Sequence, residues 1–348
     1  MKHSGAATVA QLAEFDALID ARSPAEYADD HLPGAISCPV LDDEQRARVG
    51  TLYQQASPFE ARKIGGVWVA RNVAAHIERH FFDKPRDWRP LVYCWRGGQR
   101  SGAFTHILRQ IGWDAQRLEG GYKSWRRHVL EGLATRPQCF SYRVVGGATG
   151  SGKSRLLEAL ASRGEQVLHL EELAGHKGSV LGRLPHAPQP SQRMFETRIH
   201  AALSSFDAEL PVFVEAESRR IGSVQLPDSL LAMIRAAPAL QVEASTAARI
   251  DFLLRDYDYF LADRASLIES LEQLRGLQSN ETVARWRAMA QAGEFRALVA
   301  ELLASHYDPL YRRSQANNYA GLAGARLLVT DDLSPAGMAA LAREISAI

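Results

Sequence analysis

Cysteine is scarce in this chain: Cys38, Cys94 and Cys139 stand far apart in a sequence of 348 residues. An odd number so spaced argues against a disulfide framework, and no two cysteines form a zinc-ligand pair. Long apolar runs are missing as well. No stretch is long enough to span a bilayer, and Met1 to Ala10 carries a lysine without the apolar core of a secretory leader. The expectation is a cytoplasmic protein with no membrane partner. An excess of one charge is also absent: the formal charge is +1, so composition alone gives no sign of a nucleic-acid partner. Internal repeats and low-complexity tracts are lacking too.

The remaining composition, 46% apolar and 23% charged, is that of a globular chain. Its length suggests roughly two or three domains. Charge is unevenly placed. Glu60 to Arg100 holds nine Lys or Arg against four Asp or Glu, a local net of +5 that either steers an anionic substrate or is ordinary solvated surface.

That basic stretch ends in Leu91-Val92-Tyr93-Cys94-Trp95-Arg96-Gly97-Gly98-Gln99-Arg100-Ser101, an apolar strand running into a cysteine, two glycines and two arginines. A helix is expected from Ser101, as N-cap, to Ile111, with Phe104, Ile107, Leu108 and Ile111 on one face and Gly112 as the stop. Loop amides, the helix dipole and the charges of Arg96 and Arg100 should all lower the Cys94 pKa and populate the thiolate. A merely buried thiol needs neither Gly97-Gly98 nor two guanidiniums. Around this loop, residues 6–134 read as alternating short strands and helices, hence a parallel sheet with Cys94 at a carboxyl end, where ligands collect. Asp20, Arg22 and His31 are expected to be scaffold.

Residues 134–138 have no apolar period, and the domain boundary is expected there, with a second domain over 140–348. Cys139, beside it, reads as a structural thiol or a second sulfur acceptor. The second half opens with strand Tyr142–Val145, then Gly147-Ala148-Thr149-Gly150-Ser151-Gly152-Lys153-Ser154, then a helix over 155–161. This is a complete G-x4-G-K-S phosphate loop in its required setting. Gly147, Gly150 and Gly152 let amides reach a diphosphate, Lys153 reaches the outer phosphate, and Ser154 can hold Mg²⁺. The later strand from Pro211 ends in Glu215 and Glu217 rather than the aspartate of an ATPase; Glu215 or Glu217 can bind the metal through water, and Arg219 and Arg220 can neutralise phosphate charge. A turn-rich excursion over 176–192, a lid or a plain connection, leads to a helix at 193–206. Helices follow over 247–262, 264–278, 280–292 and 294–305. Residues 306–314 mix Tyr307 and Tyr311 with Arg312 and Arg313, a composition suited to stacking bases and gripping phosphates. A strand over 326–330 and a helix over 334–348 complete the chain.

The set Asp20-Ala21-Arg22-Ser23-Pro24-Ala25-Glu26-Tyr27, His31-Leu32-Pro33-Gly34-Ala35, the cysteine loop and Gly120-Gly121-Tyr122 resembles the rhodanese domain. That resemblance assigns Cys94 the sulfur-carrying role. The usual rhodanese loop is one residue shorter; here Cys94 to Arg100 spells C-x5-R, which also resembles the dual-specificity phosphatases and implies a bulkier anion. Joined to the phosphate loop, with Pro188-Gln189-Pro190-Ser191-Gln192, residues 215–222 and residues 306–314 in this order, the whole resembles the bacterial tRNA 2-selenouridine synthase family. The resemblance implies an α/β chain, a rhodanese-like parallel-sheet domain followed by a P-loop NTPase-like domain with a helical tRNA-binding insertion at about 245–314. It implies a transferase acting on wobble 2-thiouridine of tRNA, with selenium from selenophosphate and an S-geranyl intermediate made from geranyl diphosphate. Cys94 would attack selenium and carry it; Arg96, Gly97, Gly98, Arg100 and Ser101 would hold selenophosphate. The phosphate loop, with Arg219 and Arg220, would hold geranyl diphosphate, Ser154 and Glu215 would hold Mg²⁺, and no tightly bound cofactor is expected. Other readings are a C-x5-R phosphatase, a rhodanese-type sulfurtransferase with an ATPase domain, or a regulatory ATPase indifferent to Cys94. The oligomeric state is not legible.

Overall fold

Short apolar strands, each followed by a helix, build two all-parallel sheets in the computed structural model, which describes residues 5–346 except 97, 180, 185–187, 320 and 322–323. The chain divides into two compact units, residues 1–132 with 196–198, and residues 133–195 with 199–348. The helix Tyr122–Thr135 runs across that division and a 3-10 turn, Arg136–Cys139, follows it, so residues 134–138 are helical. No helix among the described residues is long and apolar enough to cross a membrane.

In the first unit, strands β1 (Ala6–Ala7), β2 (Ala17–Asp20), β3 (Ile36–Ser37), β4 (Pro90–Tyr93) and β5 (Gln116–Leu118) lie in the order β1-β5-β4-β2-β3. The middle strand, β4, is buried throughout, as expected for a sheet covered on both faces. Its core contains Ile19, Val92, Phe104, Leu108, Trp88 and Trp113. Helix Gln99–Ile111 starts two residues before the expected Ser101, because Gly98 occupies the N-cap and the Ser101 side chain is engaged elsewhere. It ends, as its sequence implies, at a left-handed Gly112. Asp20 and Arg22 form a buried ion pair of 2.6 Å, and the Arg22 guanidinium lies 4.0 Å from the Tyr122 ring centre. His31 Nδ1 is 2.9 Å from the Tyr27 carbonyl, and its ring stacks on Tyr27. All three are scaffold.

In the second unit, β6 (Tyr142–Gly147), β7 (Gln166–Leu168), β8 (Val212–Glu215), β11 (Ala239–Glu243) and β12 (Arg326–Val329) run in the order β12-β11-β6-β8-β7, while β9 (Arg220–Ile221) and β10 (Val224–Gln225) form a separate antiparallel pair. Central β6 passes into the phosphate loop and helix Lys153–Ala161. The expected helix over 247–262 is broken at Tyr257 into Thr246–Asp256 and Asp258–Ala262, and the one expected over 264–278 stops at Glu272. Asn280–Ala292 and Phe295–Leu302 follow, and a π turn, Leu303–Tyr307, leads into Asp308–Asn318. These helices close around Trp286, which is fully buried with Leu271, Leu274, Val283 and Leu298. At about 25 cal/mol per Å² of apolar surface, that core holds the segment in place.

Candidate functional sites, one in each unit

The end of β4 delivers Cys94 to the N-terminus of helix Gln99–Ile111, where it is 3% exposed. Its Sγ lies 3.3 Å from Ser101 Oγ. Burial raises the thiol's pKa, but the Ser101 hydroxyl and amide, the charge of Arg100 and the Gly98 amide outweigh it and hold Cys94 below the ordinary thiol value. The cradle around it differs from the expected one. Arg100 donates to Glu26 at 2.7 Å, and Arg46 reaches the same carboxylate at 3.0 Å. Burial works against the Glu26 charge, yet Arg100, with Ser23 and Arg46, keeps that carboxyl below its usual range. In this structure the Arg100 guanidinium is thus paired with Glu26 while its charge still acts on Cys94. Arg96 is exposed, Gly98 is the helix cap, and Gly97 lies outside the described residues. Glu26 escaped the sequence reading as a site residue; its signal was the S-x-x-E capping box headed by Ser23. Burial and the Asp20 charge push the Cys38 thiol up to about 12, while Cys139 is exposed.

The phosphate loop has the backbone that its glycines permit. Gly150 sits at φ +81°, where a Cβ would come within 3.1 Å of the Arg249 carbonyl oxygen and 2.9 Å of Leu253. Lys153 Nζ donates to the Gly147 carbonyl at 2.9 Å, and Ser154 Oγ donates to Glu171 Oε2 at 2.7 Å. Glu171, missed from sequence, opens the short helix after β7, and that strand lies beside β8 with its terminal Glu215. A carboxylate just after the strand neighbouring β8 is the pattern that marks it. Glu215 is buried and accepts from the Leu170 amide at 2.9 Å. Burial, then the Glu171 charge, push both Glu215 and Glu217 up to about 8. Arg249 donates through Nε to the Thr149 carbonyl at 2.8 Å and pairs with both oxygens of Asp308 at 2.6 and 3.1 Å, bracing the loop from outside.

A cavity of mixed polar and apolar lining covers the loop, with Gly150, Gly152, Lys153, Ser154, Glu171, Glu215 and Glu217 in its wall. A second, almost wholly apolar cavity shares Thr149, Ser179, Leu253, Tyr257 and Tyr307 with it and continues along Phe260, Leu267, Phe295 and Leu298. Tyr307 and Tyr311 line these cavities; Tyr307 packs against the helical core and the Tyr311 hydroxyl meets the Gln241 amide at 3.2 Å. Only Arg312 and Arg313 of the expected RNA-facing set are exposed. Arg219 and Arg220 do not line the cavity, contrary to expectation: β8 ends at Glu215, and the chain turns away so that Arg219 pairs with Asp228 and Arg220 Nε caps the Gly222 carbonyl at 2.7 Å.

Residues 6–128 match the family of rhodanese-like domains, and residues 140–283 match the tRNA 2-selenouridine synthase AAA domain. Curated tRNA 2-selenouridine synthases align over most of the chain. The protein of Nitrosomonas europaea is 37% identical over 69% of this chain and 63% of its own length. That of Marinobacter nauticus is 31% identical over 84% and 87%, and that of Cupriavidus necator 32% identical over 90% and 93%. Both halves, in this order and at this coverage, place the chain in the tRNA 2-selenouridine synthase family.

Proposed function

We propose that the protein replaces sulfur by selenium at C2 of wobble 2-thiouridine in tRNA, with selenophosphate as donor, after geranyl diphosphate has alkylated the sulfur. The observation that carries the reading is the pairing of cavities: the one over the phosphate loop shares five lining residues with an apolar one of about 70 Å³, which, once widened, would suit a ligand that is a diphosphate at one end and a hydrocarbon at the other. The thiocarbonyl sulfur attacks C1 of the geranyl chain, the C1–O bond breaks, and diphosphate leaves with the electron pair. Alkylation turns the sulfur into a leaving group, so selenium adding at C2 expels geranylthiolate.

Loop amides and Lys153 bind the departing diphosphate, for which Lys153 must leave the Gly147 carbonyl. Ser154, hydrogen-bonded to Glu171, lines the loop cavity with Glu215 and Glu217, and these oxygens are of the donor type a hard cation takes. Mg²⁺ bound there would neutralise charge on the diphosphate. In the first unit, the Cys94 thiolate, favoured by the groups that lower its pKa, attacks the phosphorus of selenophosphate. The P–Se bond breaks, hydroselenide leaves with the electron pair to add at C2, and water hydrolyses the S-phosphocysteine. Exposed Arg312 and Arg313 would contact the tRNA backbone.

The test is incubation with a 2-thiouridine anticodon stem-loop, geranyl diphosphate, Mg²⁺ and selenophosphate, with the nucleoside read by mass spectrometry. Wild type is expected to yield geranylated and then selenium-containing uridine. Cys94→Ala should stop at the geranylated product and Lys153→Ala before it. An unchanged nucleoside with tRNA bound, or equal loss of both steps in a folded Cys94→Ala protein, refutes the assignment.

A further inference from the structure

Cys38, His76 and His80 bring one thiol and two imidazoles together in the first unit, with their ligand atoms within 4.8 Å of one another. The fold arranges this from both sides. Cys38 follows β3 directly, and its amide donates to the Asp20 carbonyl at 2.9 Å, which fixes where Sγ emerges. His76 and His80 are four residues apart on the last turns of helix Pro58–His80, so they share one face. Their ring centres are 6.0 Å apart and the rings nearly parallel, at 23°.

A further contact points to metal ligation. His76 Nε2 lies 3.0 Å from the Pro39 carbonyl, an oxygen that can only accept. The proton therefore sits on Nε2, and Nδ1 keeps its lone pair. A ligating histidine normally has this arrangement, its second nitrogen donating to a backbone carbonyl that sets tautomer and ring orientation. Phe104 stacks beside His76 at 6.3 Å and Cys38 is fully buried, so the thiol side of the cluster is shielded from water.

We propose that Cys38, His76 and His80 bind one Zn²⁺ per chain, with water in the fourth position. One sulfur and two nitrogens suit a borderline-soft ion and disfavour the hard Mg²⁺. Zn–S of about 2.3 Å and Zn–N of about 2.0 Å in a tetrahedron put the ligand atoms about 3.5 Å apart. The three ligand atoms already lie within 4.8 Å of one another. Binding forms the Zn–S bond and releases the thiol proton to solvent. The ion would clip the end of the helix Pro58–His80 to the strand edge of the sheet that carries Cys94.

Co²⁺ titrated into the metal-free full-length protein tests this, because a thiolate-to-cobalt charge-transfer band reports the sulfur and intense visible bands report tetrahedral geometry. The expected result is saturation at one equivalent, with displacement by Zn²⁺. The spectrum should survive in the Cys94→Ala, Cys139→Ser double variant. Cys38→Ser should lose the charge-transfer band, and His80→Ala, at the helix end, should bind at least about tenfold more weakly even if Cys38→Ser fails to fold. No band at one equivalent, a band that persists in Cys38→Ser, a band lost with Cys94 and Cys139, or undiminished affinity in His80→Ala would each overturn the site.

Discussion

Replacing Ser101 by alanine should raise the pKa of Cys94 while leaving the fold intact. Ser101 is fully buried in the first turn of its helix, and its Oγ is 3.3 Å from the sulfur. The hydroxyl is the first of the groups that oppose the upward push of burial. A hydrogen bond to a charged group contributes about 1.5–3 kcal/mol, so its removal should move the thiol's titration midpoint upwards by a readily measured amount. Titration of 3-13C-cysteine-labelled protein by NMR reads the Cβ shift of Cys94, with Cys139→Ser removing the exposed thiol signal. The Ser101→Ala midpoint should lie above that of wild type, and Ser101→Thr should restore most of the difference. Equal midpoints in wild type and Ser101→Ala would refute the hydroxyl's role and leave Arg100 and the amides as the whole cause.

Glu215 and Glu217, pushed to about 8, hold protons in the folded state that the unfolded chain releases near 4.5. Stability should therefore be fully present below about pH 4.5 and fall as pH rises through about 8, by up to ~1.4 kcal/mol per pH unit for each group; thermal melts across that range should show it, and Glu217→Gln should flatten the slope. Arg249→Ala leaves Asp308 without its partner in a pair whose side chains are 7% and 18% exposed, so chemical denaturation should register a loss of about 3–5 kcal/mol and isothermal titration weaker diphosphate binding. Gly150→Ala forces a side chain into left-handed backbone against the Arg249 carbonyl and should abolish that binding with the Cys94 titration unchanged.

The two loops were legible because their constraints are local. Glycines at required turns, a strand before and a helix after fix the phosphate loop within a dozen residues, and the same applies to Cys94. What stayed hidden depends on distant partners. Arg100 and Glu26 are 74 residues apart, so nothing near the cysteine loop shows that the guanidinium is already committed. Glu171 acquires its place only when β7 pairs with β8. Ser101 was expected as cap because serine favours that position, but Gly98 can cap too, and the sulfur competes for the hydroxyl. Tyr307 and Tyr311 have a composition suited to RNA, but that they line the cavities, Tyr307 against the helical core, shows only in the fold.

Much of the apolar chamber's wall is the helical core itself. Leu181, Phe260, Leu267, Leu298 and Leu302, which line it, belong to the same cluster that surrounds Trp286. Occupancy of the chamber and integrity of the helical segment would thus be coupled. A hydrocarbon guest would add contacts to that core and tighten the segment by mass action, whereas a longer chain would have to displace core side chains and loosen it. The segment would act as a length gauge: guests that fit would slow hydrogen exchange around Trp286, and guests too long would speed it.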